Sequence, residues 1–225
     1  MYKFTFVLVF ILMSVSMKAL EQKSILEGAA IPTPKISAKR IIFFFSGDGG
    51  MTNSSRSLAN ELIEDYAVVC IDSRKYFWNQ KTLAGMTLDF TQLIRHYLKS
   101  WNKTEFSIVG YSFGADVSIF LTPRLPADLQ QQLKSVILLS PSTSTDFKIK
   151  LTDMIGFMGN GGKYKTIPEI SKINFPALLI LSEKKGQFFF DTAREKENIK
   201  LLRIGNARSD DYETKKVILE MLNAF

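Results

Sequence analysis

A serine between two glycines is the residue of this sequence best suited to chemistry. The run Gly110-Tyr-Ser-Phe-Gly114 matches the pattern G-x-S-x-G, in which the serine sits on a sharp turn between a strand and a helix. The flanking residues fit this pattern, because an apolar run (106–110) precedes the serine and a helical pattern (114–121) follows it. The motif therefore predicts that Ser112 is a nucleophile at the carboxyl edge of a sheet.

Two backbone amides are predicted to form an oxyanion hole beside this serine. The amide of Phe113 begins the helix after the turn, so it faces the site. A second donor should come from a loop after an earlier strand, and the glycine-rich loop 46–50 offers the amide of Gly47. The residues predicted to line the same pocket are Asp48, Gly49, Asp72 and Tyr111. For Asp72, a role in holding a turn is an equally good interpretation.

The base that would activate the serine is absent from its expected place. In folds that carry this motif the histidine follows the last strand, where residues 204–212 contain none. The chain's one histidine, His96, lies late in a predicted helix (82–101) that runs antiparallel to the strands. It should therefore lie at the amino edge of the sheet, ~17 Å from Ser112 across one strand. We interpret His96 as structural.

Apolar, strand-like runs alternate with amphipathic segments along the chain after residue 40. The predicted strands are residues 41–45, 66–71, 106–110, 135–140, 177–182 and 199–203, and the predicted helices are residues 54–65, 82–101, 114–121 and 211–223. Such alternation produces parallel strands with right-handed crossovers. Together with the serine motif it predicts an α/β-hydrolase fold of about six mainly parallel strands with helices on both faces. We expect one domain over residues 40–225, with residues 141–172 as a flexible insertion over the site.

The first part of the chain, residues 1–19, differs from the rest. Lys3 gives a positive start, and an uncharged, largely apolar stretch follows over residues 4–17. This stretch is shorter than the roughly 20 residues of a spanning helix, and it ends in small residues, which predicts a signal peptide. The mature protein would be exported and begin with an N-terminal arm over residues 20–39. The alternative is that the segment is retained as an anchor.

Composition argues against several kinds of site. The chain has 29 Lys and Arg against 22 Asp and Glu, a formal charge of +7, which suits either an anionic membrane surface or solubility alone. Its one cysteine, Cys70, can form no intramolecular disulfide and is predicted to be buried. The sequence has no cluster of His and Cys and no nucleic-acid-binding motif. We expect no metal, cofactor or nucleic acid, and a monomer that takes a lipid or small ester.

Seven short blocks of the sequence resemble one known family. They are Phe45-Ser-Gly-Asp-Gly-Gly50, Asp72-Ser-Arg74 with Tyr76-Phe-Trp78, Leu93-Ile-Arg-His-Tyr-Leu98, Gly110-Tyr-Ser-Phe-Gly-Ala-Asp-Val117, Arg124-Leu-Pro126, Ser140 and Asp146-Phe147. In this order they are similar to the VirJ/AcvB family of bacterial exported α/β-hydrolases. The resemblance implies hydrolysis of lysyl-phosphatidylglycerol on the periplasmic side, and an association with virulence and type IV secretion.

The same resemblance exposes two departures at catalytic positions. The family has a pair of histidines before an aspartate and a tyrosine, whereas this chain has Asn206 and Ala207. In the acid loop after the fifth strand, Glu183 persists as a possible acid, but Lys184 and Lys185 replace further acidic residues. A desolvated lysine can act as a base for serine, so either lysine is a speculative base.

Two hypotheses from different classes remain. In the first, the chain hydrolyses an aminoacylated phospholipid or related ester with Ser112 as nucleophile, the Phe113 and Gly47 amides as oxyanion donors and an unconventional base. Asp210 or Asp211 would be a weak base, and Asp211 also fits as the N-cap of the last helix. In the second, the chain is an inactive periplasmic binding or interaction module on a hydrolase fold.

Overall fold

The computed structural model describes residues 28–149, 161–182, 196–205 and 207–224. Nine strands are present in these residues: β1 (Ala30–Thr33), β2 (Ile41–Phe45), β3 (Ala67–Ile71), β4 (Phe106–Tyr111), β5 (Leu133–Leu139), β6 (Ser144–Thr145), β7 (Tyr164–Lys165), β8 (Ala177–Ser182) and β9 (Ile199–Ile204). Seven of them form one sheet in the order β1-β3-β2-β4-β5-β8-β9, and β6 pairs with β7. From β3 to β9 the sheet is parallel, while β1 is antiparallel to β3.

All but the last of the helices lie between successive strands of the sheet. They are α1 (Asn53–Asp65), α2 (Ser73–Tyr76), α3 (Leu83–Ser100), α4 (Phe113–Leu121), α5 (Ala127–Gln132), α6 (Thr166–Ile170) and α7 (Tyr212–Asn223), with a 3₁₀ turn at Thr122–Arg124. Capping side chains set several of the helix starts. Thr52 accepts from the Ser55 amide at 3.3 Å, and Asp211 accepts from the Thr214 amide at 3.0 Å. The predicted N-cap role of Asp211 is thus seen in the structure.

Alternating side chains of the sheet feed two hydrophobic cores. Every residue of β2 is buried, because its odd-numbered residues enter one core and its even-numbered residues enter the other. The first core takes Phe43 and Phe45 together with α3 and α4. The second takes Phe44 together with α1 and α7. Helices therefore cover both faces, and the α/β-hydrolase fold predicted from the sequence is confirmed.

The sheet has one strand more than the predicted six. The additional strand, β1, lies in the N-terminal arm and pairs Ala30 with Ile71. It spans four residues with Pro32 among them, which is too short to show an alternating pattern. Proline is tolerated here because β1 is an edge strand.

The insertion between β5 and β8 carries structure in its described parts, 141–149 and 161–172. The strands β6 and β7 pair there, and α6 packs with its Thr166 and Ile170 buried. Residues 1–27, which contain the predicted signal peptide, lie outside the described residues, as do residues 150–160. No helix in the described part of the chain is long and apolar enough to span a bilayer.

Candidate active site

Ser112 occupies a strained turn between β4 and α4. Its backbone has φ 52° and ψ −119°, a region that residues with a side chain rarely adopt. The turn is held on both sides, because the Ser112 amide donates to the Leu139 carbonyl at 2.8 Å and the Ser112 carbonyl accepts from the Ala115 amide at 2.9 Å. This is the geometry that the G-x-S-x-G motif predicts, with the serine at the carboxyl edge of the sheet.

The two glycines of the motif allow main chains to meet. A Cβ on Gly114 would lie 2.2 Å from the carbonyl oxygen of Phe45. A Cβ on Gly110 would lie 2.5 Å from the carbonyl oxygen of Gly114. Both distances are far below a van der Waals contact, so only glycine lets α4 approach β2 and β4 this closely.

The loop after β2 lies against the serine, as predicted for the second oxyanion donor. A Cβ on Gly47 would lie 3.5 Å from the Ser112 Cβ. The Gly50 amide donates to the Gly47 carbonyl at 3.0 Å, and the turn passes through a positive φ of 74° at Gly50. Phe113 begins α4, so its amide has no acceptor within the helix. The amides of Gly47 and Phe113 remain the predicted donors to a carbonyl oxygen bound at Ser112.

A buried pair of serines that the sequence analysis missed supports this loop. The Ser46 hydroxyl accepts from the Ser73 amide at 3.0 Å, and the Ser73 hydroxyl donates to the Ser46 carbonyl at 2.6 Å. Both serines are fully buried. Ser46 directly precedes Gly47, and Ser73 directly follows Asp72. Their position next to two predicted site residues was the signal in the sequence that could have identified them. The pair fixes the peptide that precedes Gly47.

The predicted pocket residues lie near one another at this edge. Tyr111 contacts the position of Gly47, with its Cδ1 3.6 Å from a Cβ built there. The Asp48 carboxylate accepts from the Gly49 amide at 3.0 Å. Burial raises the pKa of Tyr111 above its usual value, while the Ser209 hydroxyl and the Arg208 cation oppose that shift. The phenol therefore stays protonated near neutral pH.

Asp72 holds a turn, which was one of its two predicted roles. Its carboxylate accepts from the Lys75 amide at 3.2 Å and caps the short helix α2. The side chain is buried, and its Oδ1 lies 2.5 Å from a Cβ built on Gly50. It therefore braces the glycine loop from the side of β3.

In the described part of the loop after β9, where the family resemblance implies histidines, the residues make other contacts. Ala207 is buried against the second core with φ 45°, and its carbonyl accepts from the Ser140 hydroxyl at 2.7 Å. Arg208 and Asp210 form an ion pair at 2.9 Å, and Asp210 also accepts from the Ser54 hydroxyl at 2.8 Å. The hydrogen bonds that the carboxylate accepts, first from the Arg208 guanidinium and then from the Ser54 hydroxyl, lower the pKa of Asp210 below its usual value. The Asp210 carboxylate is therefore held next to the first turn of α1.

His96 lies on an exposed face near the end of α3. Just beyond that helix, the Lys103 ammonium donates to the Ala38 carbonyl at 2.6 Å, and the Ile41 amide donates to the Glu105 carbonyl at 3.1 Å. The end of α3 is thus at the edge where β2 and β4 begin. Ser112 follows the other end of β4, so the imidazole and the hydroxyl lie at opposite edges of the sheet.

Within the described ranges, no side chain forms a hydrogen bond with the Ser112 hydroxyl. Several predicted partners fall outside these ranges, namely Glu183, Lys184, Lys185 and Asn206. No group of His, Cys, Asp and Glu that could hold a metal ion occurs among the residues that the structure describes. The structure places the Ser112 hydroxyl beside the Gly47 loop and at the start of α4, whose amides remain the predicted donors to the carbonyl of an ester.

A buried carboxylate that was not predicted as a site residue connects the insertion to α4, the helix that follows Ser112. Asp116, in the first turn of α4, is buried and accepts from the Ser142 amide at 2.6 Å. The signal was the one charged residue in the helix Phe113–Leu121, because a buried charge requires hydrogen-bond donors. The Asp116 contact therefore fixes where the insertion leaves the sheet.

Comparisons with solved structures find many proteins of the same fold. A lipase-esterase related protein from Clostridium acetobutylicum ATCC 824 has TM-score 0.61 and 16% identity, covering 87% of this chain and 98% of that one. MenH from S. aureus has TM-score 0.62 and 14% identity, with the same coverages. The enol-lactonase from Burkholderia xenovorans LB400 has TM-score 0.62 and 13% identity, covering 86% and 95%. At these identities the likeness shows the fold.

Sequence comparison narrows the assignment further. Among curated proteins, none matches the chain. The sequence model of a family described as bacterial virulence protein (VirJ) matches residues 39–223. This match covers the whole sheet apart from β1, together with the serine turn, the glycine loop and the loop after β9. The chain therefore belongs to the VirJ family.

Proposed function

We propose that this VirJ-family chain binds an aminoacylated phospholipid, or a related ester, at Ser112 and has lost histidine-dependent hydrolysis. One observation carries the proposal. The strained serine turn and the glycine loop beside it are complete, whereas the chain's one imidazole lies at the opposite edge of the sheet. The ligand class is taken from the family resemblance. The predicted amide donors are consistent with it, because they could bind the carbonyl of such an ester.

The loss of hydrolysis is supported by the loop after β9. Ala207 occupies one of the two positions that hold histidines in the family, and it is buried with its backbone in the left-handed region. A larger side chain at this position would have to displace the second core. In a serine triad, removal of the base costs about six orders of magnitude in turnover. Weak hydrolysis from the amides and the binding alone is what would remain.

The proposal includes the place where the protein acts. The basic start and apolar stretch of residues 1–19 support export to the periplasm as a cleaved signal peptide. An aminoacylated phospholipid on the outer side of the inner membrane would then be within reach of the mature chain. Mass spectrometry of the mature protein would show whether its first residue follows Ser16 or Ala19.

A second candidate function is serine hydrolysis with an unconventional base. The observation in its favour is Ser112 itself, since a glycine would relieve the positive φ of 52° at no loss to the turn. A strained residue with a reactive side chain suggests that the hydroxyl is used. Lys184 or Lys185, on the loop after β8, would then take the proton from Ser112.

A fluorophosphonate probe and a binding measurement together separate the two candidates. We expect no labelling of the purified chain on the minute timescale, because a serine without a base is a poor nucleophile. We also expect binding of lysyl-phosphatidylglycerol in detergent micelles, measured by isothermal titration calorimetry. Rapid labelling that Ser112→Ala abolishes would establish the second candidate. If the chain shows neither labelling by the probe nor binding of the lipid, both candidate functions are overturned.

A matched pair of glycine variants tests where the ligand binds. Gly47→Leu places a side chain over Ser112, because a Cβ at residue 47 already contacts the serine Cβ at 3.5 Å. We expect this variant to bind the lipid at least about tenfold more weakly. Gly205→Leu is the control, since a Cβ there meets nothing within 4 Å. Equal affinities for the two variants would place the ligand elsewhere.

A further inference from the structure

Three hydrogen-bonded segments beside the site concentrate positive charge. The Lys81 amide donates to the Phe147 carbonyl at 3.1 Å, and the Ile149 amide donates to the Phe77 carbonyl at 2.9 Å. The Lys163 amide donates to the Asp146 carboxylate at 2.7 Å. These contacts join residues 74–81, 146–149 and 161–165 into one surface, which we name the basic rim. Its six cationic residues are Arg74, Lys75, Lys81, Lys148, Lys163 and Lys165, and its one acidic residue is Asp146.

Three of the six cations of the basic rim lie against aromatic rings. The Arg74 guanidinium lies 6.0 Å from the centre of the Trp78 ring. The Lys81 ammonium lies 4.6 Å from the Tyr76 ring, and the Lys163 ammonium lies 5.5 Å from the Tyr164 ring. Trp78 is 49% exposed although it is a large apolar side chain. An exposed tryptophan among lysines and arginines is the composition found where proteins meet the bilayer interface.

The basic rim adjoins the serine turn through direct packing. The Phe77 ring, next to Trp78 in sequence, packs on the Phe113 ring with centres 5.0 Å apart. On the other side, the Arg74 Cβ lies 3.0 Å from a Cβ built on Gly50 in the glycine loop. A surface that approached the basic rim would therefore also lie close to the serine turn and the glycine loop.

The acidic side chains of neighbouring elements do not cancel the positive charge of the basic rim. The Asp72 carboxylate is buried and accepts from the Lys75 amide at the start of α2. The Asp89 carboxylate of α3 accepts from the Tyr76 hydroxyl at 2.6 Å. Both carboxylates are thus engaged by groups beneath the rim, while Arg74, Lys75 and the lysines of residues 161–165 are exposed to solvent.

We propose that the basic rim docks the protein on an anionic lipid bilayer, with Trp78 at the interface and Ser112 facing the lipid headgroups. The purpose of this docking rests on the proposed function, because docking would present a lipid ester to the site. The observations that support the docking do not depend on the proposed function. The bilayer is the occupant that the observations favour, because multiple cations attract phosphate headgroups and the exposed indole suits the interfacial layer.

Vesicle flotation of the full chain tests the docking surface. The vesicles contain phosphatidylcholine alone, or phosphatidylcholine with an equal part of phosphatidylglycerol. We expect binding only to the second kind, with a steep decrease as salt rises. Removal of four rim charges in the variant R74Q/K75Q/K163Q/K165Q should weaken the binding at least about tenfold. Trp78→Ala should weaken it several-fold while leaving the charge unchanged.

A charge-matched control separates the rim from net charge. The variant K39Q/K99Q/K200Q/K216Q removes four exposed cations that lie outside the basic rim. It should bind phosphatidylglycerol vesicles as the unmodified chain does, whereas equal weakening by both quadruple variants would overturn the proposal. Circular dichroism of each variant confirms that it is folded.

Different outcomes would contradict the docking of the basic rim and the proposed function at Ser112. No flotation of the unmodified chain with phosphatidylglycerol vesicles, alongside retained binding of the lipid in micelles that Gly47→Leu weakens, would remove the docking surface alone. Flotation that depends on the rim, without any binding at Ser112, would remove the proposed function alone. Binding of phosphatidylcholine vesicles as strong as that of phosphatidylglycerol vesicles would also overturn the rim.

Discussion

At the scale of single residues, the site depends on positions where a side chain is excluded. Gly114 brings the start of α4 against the last carbonyl of β2, and Gly110 brings β4 against α4. Ser112 lies between them with a positive φ. The strain of this one residue is sustained because the chain on both sides is fixed by close packing and main-chain hydrogen bonds.

We predict that Gly114→Ala destabilises the fold strongly. Its Cβ would lie 2.2 Å from the Phe45 carbonyl oxygen. Neither atom can turn away, because the Cβ position is fixed by the main chain of residue 114 and the oxygen belongs to the main chain of β2. The expected loss in the free energy of unfolding is about 3 kcal/mol or more, measured by urea denaturation. Gly205→Ala is the control, because its Cβ meets nothing within 4 Å. Similar midpoints for the two variants would contradict the close approach.

At the scale of elements, the insertion is anchored by charges as well as by packing. The Glu169 carboxylate of α6 accepts from the Arg124 guanidinium and from the Lys172 ammonium, each at 2.6 Å. Burial pushes the pKa of Glu169 upward, but the hydrogen bonds from the two cations outweigh it and lower the pKa below the usual 4.5. This contact joins α6 to the turn that follows α4, the helix that carries the serine.

We predict a pH-dependent contribution from this contact. Because the pKa of Glu169 is lower in the folded chain than its usual value of 4.5, its ion pairs stabilise the fold fully above that pH. The contribution is lost as the pH falls through the lowered pKa. Glu169→Gln should therefore flatten the decline in melting temperature below about pH 4.5, measured by differential scanning calorimetry. Glu220→Gln, on the exposed side of α7, is the control, and an equal flattening there would refute the assignment.

At the scale of the whole molecule, the sheet separates two hydrophobic cores. Cys70 lies in the second core, on β3 between β1 and β2. Burial raises the pKa of its thiol to about 12, although the nearby Arg56 cation acts in the opposite direction. The thiolate that reacts with disulfide reagents is therefore scarce in the native protein.

We predict that Cys70 reports global unfolding. The native chain should not react with Ellman's reagent at pH 8 over the time in which a free thiol reacts completely, because the sulfur is both buried and protonated. In guanidinium chloride the labelling rate should follow the fraction unfolded. Ser100→Cys, exposed at the end of α3, provides a thiol that reacts in the native state. Fast labelling of the native parent chain would contradict the burial.

The patterns of the sequence predicted much of this organisation. Strands such as Ile41–Phe45 were predictable because a strand buried on both faces needs an unbroken apolar run, and Ser112 was predictable because its turn needs glycine at fixed positions. The edge strand β1 was not predictable, since its four residues are stabilised by pairing with Ile71 and its neighbours rather than by a local pattern. The buried roles of Ser46, Ser73 and Asp116 likewise depend on partners distant in sequence.

By itself, the sequence determined the fold, the serine turn between β4 and α4 and the absence of a histidine from the loop after β9, because these follow from local periodicity, local turn chemistry and residue identity. Tertiary structure decided which loops meet. It set Gly47 beside Ser112, closed the space around Ala207, and joined three separate segments into the basic rim. The physical reason is that a parallel sheet gathers the ends of its strands at one edge regardless of their distance along the chain.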